Sequence, residues 1–366
     1  MSFKKETIKN ATIYHGDCME VLESLENIDS CVADPPYGLS FMGKKWDYDV
    51  PKKELWERVF ASMKQGAHLL SFFGSRTYHR GVIPIEDAGF DIRDQLMWLY
   101  GSGFPKSHNI GKAVDKFQGN ERELVESDNR IASSLGNSIN MDGGLANKDY
   151  KYTKGTSEYE GWGTALKPAH EPIVMARKPF KGSVAENVLE HGTGGINIDG
   201  CRVGTEFRTY KGAGSSPQKI ANHAKGDTGI GMLDGSGKNK TFTVKGRFPA
   251  NVMHDGSEEV LEIFPQTGKS SGVTSNKGII WGSGNNELRK KGFRDEGTAA
   301  RYFYCAKASK DDRDEGLYEF ENKITQGMRS NAGPALVGDN ESGRTVRKNT
   351  HPTVKPTELM RYLCRL

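Results

Sequence analysis

A largely apolar run from Ala67 to Phe73 is the feature that most restricts the fold of this chain. A strand with both faces buried has this composition, and a mostly parallel sheet covered by helices buries both of its faces. The segment just before the run carries Leu55, Val59 and Met63 at four-residue steps, which is typical of a helix with one apolar face. The first 110 or so residues therefore predict an open, mostly parallel α/β sheet with helices on its faces.

Further predicted elements continue the alternation of strand and helix. Strands are predicted at residues 12–14, 30–33, 95–100 and 171–176, and helices at residues 18–25, 53–63, 76–88 (interrupted at Pro84) and 357–366. Between residues 115 and 160 the periodicity is lost in a polar segment. Residues 180–347 are rich in Gly, Lys, Ser and Asn, which suits a surface that follows phosphate groups and equally a solvated insertion.

Composition excludes several classes of protein. A length of 366 residues fits one large domain, or one domain with a large insertion. The five cysteines are scattered without a C-x-x-C pair, which predicts reduced thiols and no metal site. Neither a signal peptide nor a run of membrane-spanning length is present, so we expect a soluble, cytoplasmic protein. A net charge of +4 permits nucleic-acid binding without requiring it.

Residues 32–38, Val-Ala-Asp-Pro-Pro-Tyr-Gly, combine a strand end with groups suited to chemistry on an amine. Ligands of open α/β sheets bind at the carboxyl ends of the strands. A carboxylate and a free backbone carbonyl can accept the hydrogens of an exocyclic amine and favour its attacking form. We therefore predict Asp34 as acceptor, the Pro35 carbonyl beside it, Pro36 as a stiffener of the turn, and Tyr37 as a stacking face for a base. An ordinary Asp-Pro and Pro-Pro turn is the alternative.

This segment resembles motif IV of the DNA amino-methyltransferases. Further stretches resemble other motifs of that family in order, at residues 16–17, 64–70, 89–107, 162–172 and 351–356. The order is that of the permuted, phage-type class, in which the catalytic half precedes the cofactor-binding half. The resemblance implies a Rossmann-like, S-adenosylmethionine-dependent methyltransferase sheet that is circularly permuted and carries a large, loop-rich target-recognition insert.

The resemblance also implies a division of the chain. Residues 1–180 would be the catalytic half, with a polar insert at 115–160, residues 181–347 the target-recognition domain, and residues 348–366 the start of the cofactor-binding half. The implied contacts with S-adenosylmethionine are Asp17, His351, Thr353 and Lys355. Asp17 has the alternative role of capping the helix that follows it, and a lysine between two loop prolines is more often solvated.

The implied function is site-specific methylation of double-stranded DNA in a bacterial or phage-infected cell, with a restriction-modification setting. An Asp at the head of the motif favours adenine N6, with cytosine N4 as an alternative. A non-catalytic DNA-binding remnant or split subunit stays open, as does an amine methyltransferase acting on RNA or protein. Trp46 has two interpretations, a cover for a flipped base and, more favoured, local packing.

One family feature is not found in this sequence. A Phe-x-Gly-x-Gly cofactor loop should follow the helix that begins near Thr357, and the sequence ends at Leu366 before it. We therefore expect a truncated or split product that binds cofactor poorly unless a separate C-terminal fragment or a second copy completes it. Without the segment, the strand ending at Asp34 is expected to have an unpaired edge. Ordinary tight binding of cofactor in calorimetry would contradict this expectation.

Overall fold

The computed structural model describes residues 3–40, 45–101, 103, 107–125, 152–211, 241–268, 296–306, 311–321, 323–326, 344–349 and 354–366. The strands are β1 (Lys4–Ile8), β2 (Ala11–His15), β3 (Ile28–Ala33), β4 (Met63–Phe72), β5 (Asp91–Leu99), β6 (Glu123–Val125), β7 (Tyr152–Lys154), β8 (His170–Arg177), β9 (Val203–Lys211), β10 (Thr241–Arg247), β11 (Val252–His254), β12 (Gln266–Thr267), β13 (Gly297–Thr298), β14 (Tyr304–Cys305), β15 (Lys323–Gln326) and β16 (Arg344–Arg347). The helices are α1 (Cys18–Leu22), α2 (Lys53–Ser62), α3 (Tyr78–Asp87), α4 (Ile110–Gln118), α5 (Val184–His191), α6 (Glu258–Glu262), α7 (Asp311–Asp314) and α8 (Thr357–Arg365).

The central sheet has six strands in the order β14-β11-β5-β8-β4-β3. The pairs β3/β4, β5/β11 and β11/β14 are parallel, whereas β8 runs antiparallel to both of its neighbours, β4 and β5. The strands other than β8 therefore all end at one side of the sheet, which we call the carboxyl edge, and β8 begins there. The predicted α/β class is confirmed, with a sheet that is parallel except for β8.

The apolar run in β4 is explained by cores on both faces of the sheet. Leu70 and Phe72 point into one core, together with Leu359 and Leu363 of α8. The alternate residue Leu69 points into the other core, which also holds Trp56 of α2 and Ile85 of α3. Because side chains alternate along a strand, the positions of the run on both faces of β4 are mostly apolar, with His68 and Ser71 as polar exceptions.

The strand that leads to Asp34 lies at the margin of the sheet. Among the residues the structure describes, β3 pairs with β4 on one side and with no strand on the other. The predicted strand at 12–14 is present as β2, which pairs with β1 in a separate hairpin rather than in the central sheet.

Several local predictions differ from the structure. The helix at Pro84 is not interrupted, because α3 runs through it and the backbone N–H of Ala88 still reaches the Pro84 carbonyl. The loss of pattern predicted from Asp115 onward is wrong for its first residues, which continue α4 to Gln118. Asp115 is fully buried there and pairs with Arg122. The predicted helix at 18–25 ends at Leu22.

The range predicted as a target-recognition domain contributes two strands to the central sheet. β11 pairs with β5 and β14 pairs with β11, so the sheet draws on residues on both sides of position 180. The same range also contains the antiparallel pair β9/β10, which forms a separate two-stranded sheet. The boundaries of a recognition domain, and the circular permutation itself, stay predictions.

Two further findings concern the cysteines and the helices. All five cysteines are free thiols. Within the described ranges, every helix is too short or too polar to cross a bilayer.

Candidate active site

Asp34 lies at the carboxyl edge, one residue beyond the end of β3. Pro35 and Pro36 follow it and cannot donate to a β ladder, so the strand stops there. The Asp34 side chain is 36% exposed. In the part of the chain that the structure describes, no backbone N–H donates to the Pro35 carbonyl. The Asp34 carboxylate is therefore accessible to an incoming group.

Tyr37 joins Asp34 to a second carboxylate. Its hydroxyl lies 2.8 Å from Oδ1 of Asp34 and 2.9 Å from Oε2 of Glu171. Burial, and then the charges of Glu171 and Asp34, raise the pKa of Tyr37 well above its ordinary value. The hydroxyl therefore stays protonated and donates, with its one hydrogen shared between two acceptors.

Lys355 is the third partner of the two carboxylates. Its Nζ lies 3.1 Å from Oδ2 of Asp34 and 3.1 Å from Oε2 of Glu171. The side chain is 8% exposed and passes the rings of Phe72 and Tyr37, whose centroids are 5.0 and 5.4 Å from Nζ. The solvated alternative for Lys355 is therefore wrong, because two carboxylates and two aromatic rings enclose the ammonium.

The four side chains form one group, which we call the carboxylate cluster: Asp34, Tyr37, Glu171 and Lys355. They come from distant parts of the sequence, namely the loop after β3, the second residue of β8 and the residue two before α8. The antiparallel direction of β8 is what brings Glu171 to the carboxyl edge. Sequence reasoning missed Glu171, although it lies in the stretch 162–172 that resembles a family motif.

The cluster keeps capacity for a further ligand. An ionised carboxylate offers about four lone-pair positions, two on each oxygen. Tyr37 uses one position on Oδ1 of Asp34 and Lys355 uses one on Oδ2. The remaining positions can accept N–H groups of an amine at the exposed side of Asp34.

The loop behind the cluster is held by Asp47, which sequence reasoning also missed. This carboxylate is 3% exposed and accepts hydrogen bonds from the backbone N–H groups of Tyr37, Gly38 and Leu39 at 2.7, 3.0 and 3.3 Å. Gly38 has a φ of +67°, a conformation that favours glycine. On the other side, the Thr77 hydroxyl donates to the Tyr37 carbonyl at 2.6 Å.

The remaining predicted site residues do not join the cluster. Asp17 caps α1, accepting a hydrogen bond from the Met19 N–H at 2.8 Å, and its side chain is exposed. His351 and Thr353 lie outside the described residues. Trp46, on a short 3-10 helix at Lys45–Asp47, is 57% exposed, so the preferred interpretation of local packing is not supported.

Known proteins resemble this chain over part of its length. No family model matches the chain. It is 27% identical over 145 residues to the type II methyltransferase M.HindIII of Haemophilus influenzae, a match that covers 39% of this chain and 35% of that protein. The chain thus spans about a third of the length of this relative.

Two solved structures are also similar to the chain. M1.HpyAVI in complex with SAM is 14% identical, with a TM-score of 0.22 over 45% of this chain and 54% of that one. TTHA0409 of Thermus thermophilus, complexed with S-adenosyl-L-methionine, is 16% identical, with a TM-score of 0.23 over 46% and 55%. The fold is therefore defined by the strand order of the central sheet.

Proposed function

We propose that this chain acts as a site-specific, S-adenosylmethionine-dependent DNA methyltransferase that methylates an exocyclic amine, with adenine N6 as the favoured target. The observation that carries the proposal is the open carboxylate of Asp34 at the end of β3, followed by two prolines and Tyr37. The similarity to M.HindIII, whose name is that of a type II methyltransferase, supports it.

The residues suit a weak nucleophile. The lone pair of an exocyclic amine is delocalised into the ring of the base, so the nitrogen must be drawn out of that conjugation. Asp34 and the Pro35 carbonyl would accept its two N–H groups and direct the lone pair toward the methyl donor. The methylated nitrogen then carries a positive charge and releases a proton to solvent.

The cluster also suits a cationic methyl donor. Asp34 and Glu171 contribute two negative charges and Lys355 one positive charge, so the group has a net charge of −1. When bound, S-adenosylmethionine supplies a methyl group that bonds to the amine nitrogen while the electron pair of the carbon–sulfur bond stays on sulfur. Asp17, His351 and Thr353 stay the candidate cofactor contacts, and Asp34 with Glu171 provides the anionic surroundings.

Detection of methylated bases tests this function. The chain is expressed in a host that lacks DNA methylation, and the nucleosides of its DNA are analysed by mass spectrometry. We expect N6-methyladenine from the wild type and none from Asp34→Ala. Asp29→Ala is the matched control, because Asp29 lies on β3, which leads to Asp34, and pairs at the surface with Lys64.

The outcomes separate the alternatives. Detection of N4-methylcytosine in the wild type, and not in Asp34→Ala, would support the proposed mechanism with cytosine as the target base. Absence of both methylated bases from soluble wild-type protein would contradict the proposal and favour the DNA-binding alternative.

A further inference from the structure

Glu171 shares both partners of Asp34. The Tyr37 hydroxyl and the Lys355 ammonium each lie within 3.1 Å of an oxygen of both carboxylates. The two carboxylates differ in exposure, 36% for Asp34 and 15% for Glu171. Asp34 is therefore the more accessible of the two carboxylates, while Glu171 is more shielded at the start of β8.

The shared lysine sets the charge that Asp34 presents. An ammonium that pairs with a single carboxylate cancels the charge of that carboxylate. The carboxylate then attracts the hydrogens of an amine, and any positive charge that develops on the amine, only weakly. A second carboxylate on the same ammonium restores one negative charge to the group. Lys355 and Glu171 are largely shielded from water, so these charges are weakly screened.

Other polar groups near Glu171 do not alter this balance. Tyr100, just beyond the end of β5, has its pKa raised by burial and then by the charge of Glu171, so it stays neutral. Tyr37 is neutral for the same reasons. The charged members of the cluster are Asp34, Glu171 and Lys355.

We propose that Glu171 is a positioning residue that balances the charge of Lys355 and so keeps one net negative charge at Asp34. This inference rests on the proposed function. During transfer, a bond forms between the amine nitrogen and the methyl carbon, the carbon–sulfur bond breaks with its electron pair left on sulfur, and positive charge moves onto the nitrogen beside Asp34. The proton then leaves that nitrogen for solvent.

Three variants that change the net charge of the carboxylate cluster test the inference. Glu171→Gln keeps the shape of the side chain and brings the cluster to zero charge. Lys355→Met brings it to −2, and the double variant returns it to −1. We expect Glu171→Gln to lower kcat by about tenfold or more, with a smaller change in KM for DNA, and the double variant to recover most of that loss. A purely structural role for Glu171 predicts instead that Glu171→Gln lowers the melting temperature while the folded protein keeps the wild-type kcat.

The matched control is an ion pair of the same type on α2. Lys53 and Glu57 pair at 3.0 Å with about half of each side chain exposed. Glu57→Gln, Lys53→Met and their combination should each retain wild-type kcat, because this pair lies at the surface.

A second readout is independent of catalysis. Trace acetylation of the ligand-free chain, followed by mass spectrometry, measures the reactivity of each lysine. We expect Lys355 to react slowly in the wild type and faster in Glu171→Gln, whereas Lys53 reacts alike in both. Melting temperatures of all variants are measured in parallel to show that they are folded.

Failure of this inference can be distinguished from failure of the proposed function. A wild type that methylates DNA, with unchanged kcat and unchanged Lys355 labelling in Glu171→Gln, would overturn the inference and leave the proposed function intact. A double variant no better than Glu171→Gln would overturn it as well. A folded wild type that makes no methylated base would overturn the proposed function, and the inference about kcat with it.

Discussion

Oδ1 of Asp47 lies 2.7 Å from the backbone nitrogen of Tyr37, so a buried carboxylate ten residues away holds the loop that carries the catalytic candidates. The same side chain takes the next two N–H groups, of Gly38 and Leu39. Three donors converging on one carboxylate stabilise its charge inside the protein and fix the direction of the backbone after Pro36.

Asp47→Ala should therefore reduce both stability and activity. Three N–H groups lose their acceptor, and we expect the free energy of unfolding to fall by roughly 2–4 kcal/mol. Urea unfolding measures this, and kcat of the folded fraction should fall as Tyr37 loses its position. Asp49→Ala is the control, because Asp49 pairs with Arg80 at the surface. Equal stability of the two variants would show that Asp47 does not anchor the loop.

Trp46→Ala should weaken DNA binding. Trp46 is exposed and lies next to Asp47, the residue that holds the loop. Its ring is therefore available for stacking against a base. Loss of one stacked base costs about 1–3 kcal/mol, or on the order of tenfold or more in Kd. Fluorescence anisotropy with labelled duplex measures it, and Trp46→Phe should retain most of the affinity. Trp162, which is 62% exposed on another segment, provides the control variant Trp162→Ala. Equal affinities of Trp46→Ala and the wild type would show that Trp46 does not contribute to DNA binding.

Arg122→Met should destabilise the segment around α4 strongly. Arg122 is 9% exposed and pairs with Asp115, which is 1% exposed, and with Glu160 at 2.8 Å. Removing the arginine leaves the Asp115 carboxylate buried without its cation, a loss of about 3–5 kcal/mol. Hydrogen exchange should show faster exchange in α4, and urea unfolding a lower midpoint. Arg58→Met breaks an exposed pair with Glu23 and should cost no more than about 1 kcal/mol.

Stability should fall in acid partly through His68. Burial, followed by the charges of Arg177 and Arg93, lowers the pKa of His68 from 6.5 to about 4. A depressed pKa means that the unfolded chain takes up the proton first, so stability is present above pH 6.5 and is lost as the pH falls toward 4. We expect His68→Gln to flatten the pH dependence of the unfolding free energy in that window by roughly 1–3 kcal/mol.

Urea unfolding at a series of pH values gives this comparison. His79→Gln alters an exposed histidine on α3 and should follow the wild-type curve. A His68→Gln curve parallel to that of the wild type between pH 6.5 and 4 would contradict the assignment.

The parts of the fold that follow from local pattern are predictable from the sequence. The largely apolar run around Leu69 and Leu70 requires two buried faces, and α2 and α8 supply them. Two prolines cannot continue a ladder, and this places Asp34 at a strand end. These inferences depend on residues close together in the sequence.

The parts that depend on distant pairing are not predictable in this way. Apolar periodicity gives no strand direction, so it does not indicate the antiparallel β8 that brings Glu171 to Asp34. The sequence pattern assigns Asp115 to a polar insert because helical periodicity is lost there. The periodicity does not indicate the buried ion pair that Asp115 forms with Arg122. Asp47 resembles a surface residue, since its role depends on backbone N–H groups rather than on side chains.

The contact between Asp34 and Lys355 joins positions 321 residues apart. The entropy cost of bringing two points of a chain together rises with their separation, and contacts this distant form slowly. In the folded chain α8, which begins two residues after Lys355, packs on the core through Leu359 and Leu363. A chain that is incomplete in its folding therefore lacks the assembled carboxylate cluster, and any activity that depends on the cluster appears only after α8 has docked.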